Sequence, residues 1–486
     1  MRVLDAIEPK NVFYYFEEIS KIPRGSGNEK AISDYLLNFG KSLGLESIQD
    51  SALNVIIKKP ATKGYENAPT VIIQGHMDMV CEKNKDTIHD FEKDPIKLRI
   101  EGDYVYATGT TLGADDGIAV AYALAILASK DIAHPALEVL ITTDEERGMG
   151  GAMAVDSKNL SGKILLNIDS EEEGKLLVSC AGGAKANVTS KIEWTEAKKD
   201  GSLLEISVRG LKGGHSGQEI DKGRGNANKL AGRILMDLLG KVDFNIVSLN
   251  GGAKDNAIPR EIDAEIYVSN ADISLVKERV AEFNKIFKNE LSAQDPDVNV
   301  SVVESNKEIK NVFDAESTNR AVKLLYLMPN GIQTMSMNIK DLVESSLNLG
   351  VVVTDDKAVS YSLALRSSVA SLKDEIINQV KVLADSLGAE TEISGYYPEW
   401  QYREESKIRN LSEKIYVEMT GEKPEIIAIH AGLECGLFME KLGDDMDMIS
   451  FGPNLYDIHT PDEHMSISSV KRFWEYLIRV LGEIKE

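Results

Sequence analysis

The periodicity of this chain changes twice along its length, and that limits the folds open to it more than any single motif. Up to about Cys180, short apolar runs alternate with helix-spaced segments. NVIIKKP, TVIIQG, ALEVLITTDEE and GKILLNID (Gly162–Asp169) read as strands. GNEKAISDYLLNFGKSLGL (Gly27–Leu45) has helical apolar spacing, and GIAVAYALAILASK (Gly117–Lys130) is apolar nearly all round, as a buried helix is. Such alternation predicts an α/β fold: a mixed, mostly parallel sheet with helices on both faces. From near Ala186 to about Glu392 a clearer polar/apolar alternation takes over, in LLEISVRG, EIDAEIYVS and AVSYSLALRS. These read as strands with one wet face. After GYYPEWQ (Gly395–Gln401) the earlier pattern returns, in SKIRNLSEKIYVEMTG, EIIAIHAG, MDMISFGPN and a last helix from about Ser466 to Lys485. A chain of 486 residues exceeds one ordinary core. The expected plan is therefore a split domain, 1–185 and 396–486, with an α+β domain, 186–395, inserted into it.

The inserted region carries a weak internal repeat. SLNGGAKDNAIPREIDAEIYVSNADISLVKERVAEFNKIF can be laid over SLNLGVVVTDDKAVSYSLALRSSVASLKDEIINQVKVLA. Each copy has SLN, a strand and a long amphipathic helix, so two related halves are expected.

Charge narrows the function classes. The 55 Lys and Arg against 78 Asp and Glu give a net −23. That balance argues against nucleic acid or an anionic membrane as partner. No apolar run reaches membrane-spanning length, and the N-terminus lacks a signal-peptide pattern. The three widely spaced cysteines suggest reduced thiols and a cytoplasmic location.

The chemistry gathers where strands end. His76 and Asp78 close TVIIQG, and Asp115 and Asp116 precede the buried helix. Glu145 and Glu146 close LEVLITTD, Asp169 closes KILLNI, and His459 follows the MDMISFGPN strand. Ligands in open α/β sheets bind outside the carboxyl ends of strands. So many carboxylates brought to one edge need compensating cations. A pair of divalent metals is the economical answer, and oxygen and imidazole donors without thiolate suit Zn²⁺, Mn²⁺ or Co²⁺. Asp78, two residues beyond His76 and so on the same face, would orient its imidazole. Glu145 and Glu146 would point apart on a strand, one to bind metal and one to hold a proton.

QGHMDMV, TTLGADDGIAVA, TTDEERGMGGA, NIDSEEEG, GGHSG, DNAIP, HAGLECG and IHTPDE, in this order along nearly the whole chain, resemble the dinuclear metallopeptidases of the aminoacylase and carboxypeptidase group. Within it they look most like the bacterial aminoacyl-histidine (Xaa-His) dipeptidase branch. The resemblance implies that His76 and Asp169 bind one metal, Glu146 and His459 the other, and that Asp115 bridges both across a cis bond to Asp116. It implies two divalent ions per chain, zinc foremost, and Glu145 as general base toward the water between them. The implied substrate is a dipeptide with a free amino terminus, Xaa-His and β-Ala-His included. A broader dipeptidase or an N-acyl amino acid deacylase is the neighbouring alternative, and a non-catalytic binder the distant one. The inserted domain would act as a lid. There His215 of GGHSG would meet the developing oxyanion, with Asn256 a second contact, and Arg366 of SLALRSS would grip the substrate carboxylate. His215 and Arg366 fall in different halves of the repeat, so one chain could complete a site, with a homodimer possible but not required. HAGLECG would place Gly432 beside the substrate, Glu434 at its amino group, and His430 near the second metal.

Blander readings stand beside these. Paired acids are commonly solvated, and Arg366 could be a surface arginine. GTTLGADDG lacks the Lys-Ser/Thr of a phosphate loop. His89 and His134 have no motif around them, and His464 competes with His459 as a ligand.

Overall fold

The computed structural model describes residues 2–485, which form two compact units. One comprises 2–179, 402–428 and 433–485. The other comprises 180–401 with the short segment 429–432. The observed boundaries thus lie a few residues outside the 186 and 395 read from the pattern change, and a second, small crossing at 429–432 has no counterpart in that reading.

The first unit is built on an eight-stranded sheet. Its order is Glu46–Gln49, Val55–Lys59, Leu137–Thr142, Val71–His76, Ile164–Asn167, Asp447–Ser450, Lys175–Cys180, Glu425–Ile429. Val71–His76 runs parallel to both Leu137–Thr142 and Ile164–Asn167, and Asp447–Ser450 runs parallel to Ile164–Asn167. Glu46–Gln49 with Val55–Lys59, Val55–Lys59 with Leu137–Thr142, and Asp447–Ser450 with Lys175–Cys180 are antiparallel, so the sheet is mixed with a parallel centre. The central strands are buried on both faces, which is why they read as unbroken apolar runs. The buried helix is Ala114–Ala128 and packs on Val71–His76. Gly75 permits this approach, since a Cβ there would stand 2.6 Å from Ala119 Cβ. A small sheet unforeseen in the sequence joins Leu98–Glu101, Tyr104–Ala107, Leu455–Tyr456 and His464–Ser466.

The second unit is a nine-stranded antiparallel sheet. Its main path runs Asn299–Ser305, Gly201–Arg209, Ile262–Ser269, Phe244–Gly251, Val343–Thr354, Ala358–Ser367, Gly182–Lys191, Glu390–Tyr397. This order is palindromic about its middle. Phe244–Gly251, Ile262–Ser269 and the helix Ile273–Glu290 on one side match Val343–Thr354, Ala358–Ser367 and the helix Ala370–Ser386 on the other. The two SLN tripeptides lie on the two central strands, which meet at Gly251 and Val352. Inward-facing residues such as Leu204, Ile246, Leu349 and Leu363 form its continuous core.

Candidate functional site

In the first unit the strand-end residues converge. Asp115 is at the centre: its Oδ1 lies 3.2 Å from His76 Nε2 and its Oδ2 3.1 Å from His459 Nε2. His76 Nε2 is also 3.6 Å from Asp169 Oδ1, and His459 Nε2 is 3.1 Å from Glu146. Asp115 thus offers one carboxylate oxygen to each of two half-sites. His76, Asp115, Asp116, Glu145, Glu146, Asp169 and His459 fall into three overlapping groups, each with donor atoms within 4.8 Å of one another. All the donors are nitrogen or oxygen, and two imidazoles face a crowd of buried and half-buried carboxylates. That donor set fits a pair of divalent ions of the borderline class.

The local backbone explains the aim of each group. The Asp115–Asp116 peptide is cis, and Asp144 and His459 have positive φ, 54° and 60°. Non-glycine residues in that region are uncommon outside functional turns. The strand carrying Glu145 and Glu146 ends earlier, at Thr142. The expectation that these neighbours point apart on a strand therefore fails: they sit in a turn, and both carboxylates join one group with His76. Asp78 lies beyond its strand too, yet its Oδ1 is 3.4 Å from His76 Nδ1. Ser26 Oγ donates to Asp78 at 2.7 Å, and the Glu145 N–H donates at 3.1 Å. Asp78 thereby ties the His76 strand to the Glu145 turn. Burial works against its charge, but His76, Ser26 and the Glu145 N–H hold its carboxyl at about 2. Burial pushes Glu145 up to about 9, with His76 opposing and Asp169, Glu434 and Glu146 adding to it.

His464 has different surroundings. Its ring stacks on Tyr106 and Tyr456, and its Nδ1 faces the Asp462 carbonyl at 2.9 Å. It joins none of the donor groups.

Three buried residues given no role from the sequence, Glu463, Arg24 and Gln74, organise this centre together with Asp116. Glu463 accepts backbone N–H bonds from Leu112, Gly113, Ala114 and Asp115, at 2.7, 2.9, 2.7 and 3.3 Å. Arg24 donates to the Met77 and Asp78 carbonyls at 3.0 and 3.2 Å and also to the Gly113 carbonyl. Together they brace the segment just after the His76 strand, which carries Asp78, and the turn into the helix that carries Asp115. Asp116 accepts the His76 N–H at 3.1 Å, and Gln74 lies under the site. Glu463 was visible inside IHTPDE, and Gln74 as the one polar residue in VIIQG; nothing local marks Arg24.

Glu434 is fully buried at the start of the helix Glu434–Leu442. Its Oε2 accepts from Gln74 Nε2 at 2.5 Å and Thr142 Oγ1 at 2.9 Å. Its Oε1 has no hydrogen-bond partner among the described residues. Burial drives its carboxyl up to about 8.

The expected lid residues assemble within the second unit. Gly214–His215 is a short strand rather than the turn expected of GGHSG, and it pairs with Ala257–Ile258 of DNAIP. The two motifs thus form one structure, closed by Ser216 N–H donating to Asn256 O at 2.9 Å. The Asn256 side chain is exposed. His215 Nδ1 accepts from the Gln218 N–H at 3.1 Å, so in the neutral ring the proton is on Nε2. Burial, then Arg366, lowers its pKa and favours that neutral form. Arg366 donates to Tyr397 Oη at 2.8 Å, and its Nε is buried with no hydrogen-bond partner among the described residues. His430 was expected near the second metal, but it belongs to the 429–432 segment, where Nε2 meets Ser346 Oγ at 2.7 Å. It is in none of the donor groups. Burial, then the charges of Arg366 and His215, holds it down at about 3. Gly432 ends the same segment.

Comparison with known proteins places these residues in context. The profile of Peptidase family M20/M25/M40 matches residues 72–483. The chain is 40% identical over 484 residues to the cytosol non-specific dipeptidase of Escherichia coli (strain K12), covering 100% of this chain and 99% of that one. Among solved structures, the aminoacylhistidine dipeptidase of Vibrio alginolyticus superposes with a TM-score of 0.95 at 39% identity, over 99% of this chain and 98% of that one. The aminopeptidase PepT of Bacillus cereus shares the fold at a TM-score of 0.56 and 17% identity, over 99% and 100%. This chain belongs to peptidase family M20/M25/M40.

Proposed function

We propose that this protein is a metal-dependent dipeptidase acting on dipeptides with a free amino terminus. The observation that carries the reading is the placement of Asp115, one oxygen toward His76 and the other toward His459, with Glu145 in the adjoining donor group. His76 and Asp169 would hold one ion and Glu146 and His459 the other, with Asp115 between them. Two such ions, zinc foremost and manganese or cobalt as alternatives, supply a lowered water pKa and polarisation of the scissile carbonyl.

The chain's own residues do the rest. Glu145 accepts the proton of the attacking water on its carboxylate and returns it to the leaving amine. Asp78 holds His76 and the Glu145 backbone in register. His215 donates its Nε2–H to the carbonyl oxygen as negative charge develops, a contact worth about 3 kcal/mol in comparable sites. Arg366, whose Nε has no partner among the described residues, takes the substrate's C-terminal carboxylate as a planar, two-toothed donor. Asn256, His430 and Gly432 complete the substrate contacts, and Glu434 takes the amino group.

The two relatives bear different names, one a non-specific dipeptidase and the other an aminoacylhistidine dipeptidase. Xaa-His substrates, β-Ala-His included, are the preferred reading, with a broad dipeptidase second. The unpartnered Glu434 Oε1 favours a free amine over an N-acyl group, which disfavours a deacylase. A cytoplasmic location is part of the proposal, supported by the name of the E. coli relative, and a homodimer is compatible with it. No helix among the described residues is long and apolar enough to cross a membrane.

The test is hydrolysis of Ala-His, β-Ala-His, Leu-Gly, a tripeptide and an N-acetyl amino acid, with chelator and with added Zn²⁺, Mn²⁺ or Co²⁺. Metal-dependent cleavage of dipeptides is the expected result. Cleavage of the acetylated substrate alone would move the protein to the deacylases, and no cleavage with any metal would leave a binding protein.

A further inference from the structure

A row of buried amide and hydroxyl groups crosses the three central strands beneath the centre, and hydrolysis as described above does not use it. Asn167, Gln74 and Thr142 are each at most 1% exposed. Gln74 pairs in register with Asn167 on one side, and its strand ends opposite Thr142 on the other. Polar side chains at such positions, where valine or isoleucine would pack without cost, are expensive unless they are mutually satisfied.

The direction of the row is set by its donors. Asn167 Nδ2 donates to Gln74 Oε1 at 2.5 Å. With its oxygen so occupied, the Gln74 amide must turn its NH₂ the other way, and Nε2 meets Glu434 Oε2 at 2.5 Å. Thr142 Oγ1 adds a second donor to the same Glu434 oxygen at 2.9 Å. One carboxylate oxygen is therefore committed twice while the other, Oε1, is buried with nothing to accept. Glu434 is absent from the donor groups suited to a metal. A buried carboxylate oxygen left open in this way calls for a cationic donor of the ligand. The group that a free dipeptide brings and an acylated or N-extended one lacks is the terminal ammonium.

We propose that Gln74, supported by Asn167 and assisted by Thr142, is a positioning residue for substrate specificity: it pins one oxygen of Glu434 so that the other is presented to the α-ammonium, and so restricts the enzyme to substrates with a free amino terminus. The inference rests on the dipeptidase reading and on Glu434 as the amine acceptor. It extends that reading to three residues whose side chains lie in the central strands behind Glu434.

Two metal-directed probes that differ only in the amine, alanine hydroxamate and propionohydroxamate, isolate this effect in the metal-loaded full chain. Their inhibition constants are compared for the wild type, Glu434→Gln, Gln74→Met, Asn167→Leu and Thr142→Val. The wild type is expected to bind the amine-bearing probe at least about tenfold more tightly, and Glu434→Gln to abolish that preference. Gln74→Met should cut it by about tenfold and Thr142→Val by about threefold, with propionohydroxamate binding unchanged in both. A general loss of site structure would weaken both probes together. If Gln74→Met does not fold, Thr142→Val and Asn167→Leu carry the test, because each disturbs the row without removing Gln74. A preference unchanged in these variants but abolished in Glu434→Gln overturns the positioning role and leaves the amine site standing. A preference unchanged in Glu434→Gln overturns the amine site itself.

Discussion

Asp115 is the residue around which the centre is organised, and Glu145 is the one on which turnover should depend. Because Glu145 is proposed to move a proton rather than to hold a metal, Glu145→Gln keeps the size of the side chain and removes only the base. The expected outcome is full metal content by elemental analysis with kcat lowered by about 10²–10⁴. Loss of metal in that variant would make Glu145 a ligand instead. In the second unit, His430 gives a pH signature. Its folded-state pKa is held at about 3, below the ordinary value of 6.5, so between those values the unfolded chain binds the extra proton. Its contribution is therefore fully present above about pH 6.5 and is lost as pH falls toward 3. At pH 5 the deficit is about 2 kcal/mol. Denaturant melts at pH 7.5 and 5 should show the wild type losing more stability than His430→Gln; equal losses would mean that His430 titrates normally in the fold.

The elements matter here mainly through their ends. The loop before the helix Ala114–Ala128 owes its shape to Glu463, whose carboxylate takes four successive N–H groups. In Glu463→Gln an amide NH₂ replaces one acceptor and meets those N–H groups as a donor against donors. The loop should loosen, and Zn²⁺ affinity measured by competition with a chromophoric chelator should fall by about 10–100-fold. Unchanged affinity would reduce Glu463 to a helix cap. The same helix approaches its strand closely at Gly75, where an added Cβ would crowd Ala119 and the Asp116 carboxylate. Gly75→Ala is expected to cost about 1–3 kcal/mol in denaturant melts, because both neighbours belong to packed elements that cannot simply rotate away. A neutral result would show that the helix slides to make room.

The whole molecule is one chain that leaves the first unit at 179 and returns at 402. The crossing strands are tied: Cys180 N–H donates to Trp400 O at 3.0 Å, and Trp400 N–H to Cys180 O at 3.1 Å. Their proximity means that a short Gly/Ser linker could replace residues 181–399 without stretching the first unit. Such a shortened chain should still bind two equivalents of Zn²⁺ by calorimetry, because each proposed ligand lies in the first unit, while dipeptide hydrolysis should disappear with His215 and Arg366. Retained hydrolysis would remove the second unit from the chemistry.

Much of this was legible before any coordinates. Helix and strand periods are local, so the split α/β unit, the inserted antiparallel one and its two halves could all be read from the pattern. A charged residue at the edge of an apolar element is also a local signal: His76, Glu145, Glu146 and Asp169 were read at strand ends, Asp115 before the buried helix and His459 in the loop after a strand. The choice of His459 over His464 rested on motif spacing until the stacking of His464 on Tyr106 and Tyr456 showed what occupies that ring. Other features depend on partners far apart in the chain. Gln74 meets Glu434 across 360 positions, Glu463 meets Leu112 across 351, and Arg24 reaches Gly113 across 89. The common direction of Glu145 and Glu146 belongs to a turn whose positive φ at Asp144 no periodicity predicts. Local pattern therefore names the elements and the reactive groups at their ends. Which oxygen is committed and which is left open follows from hydrogen bonds that exist only after strands remote in sequence have been laid side by side.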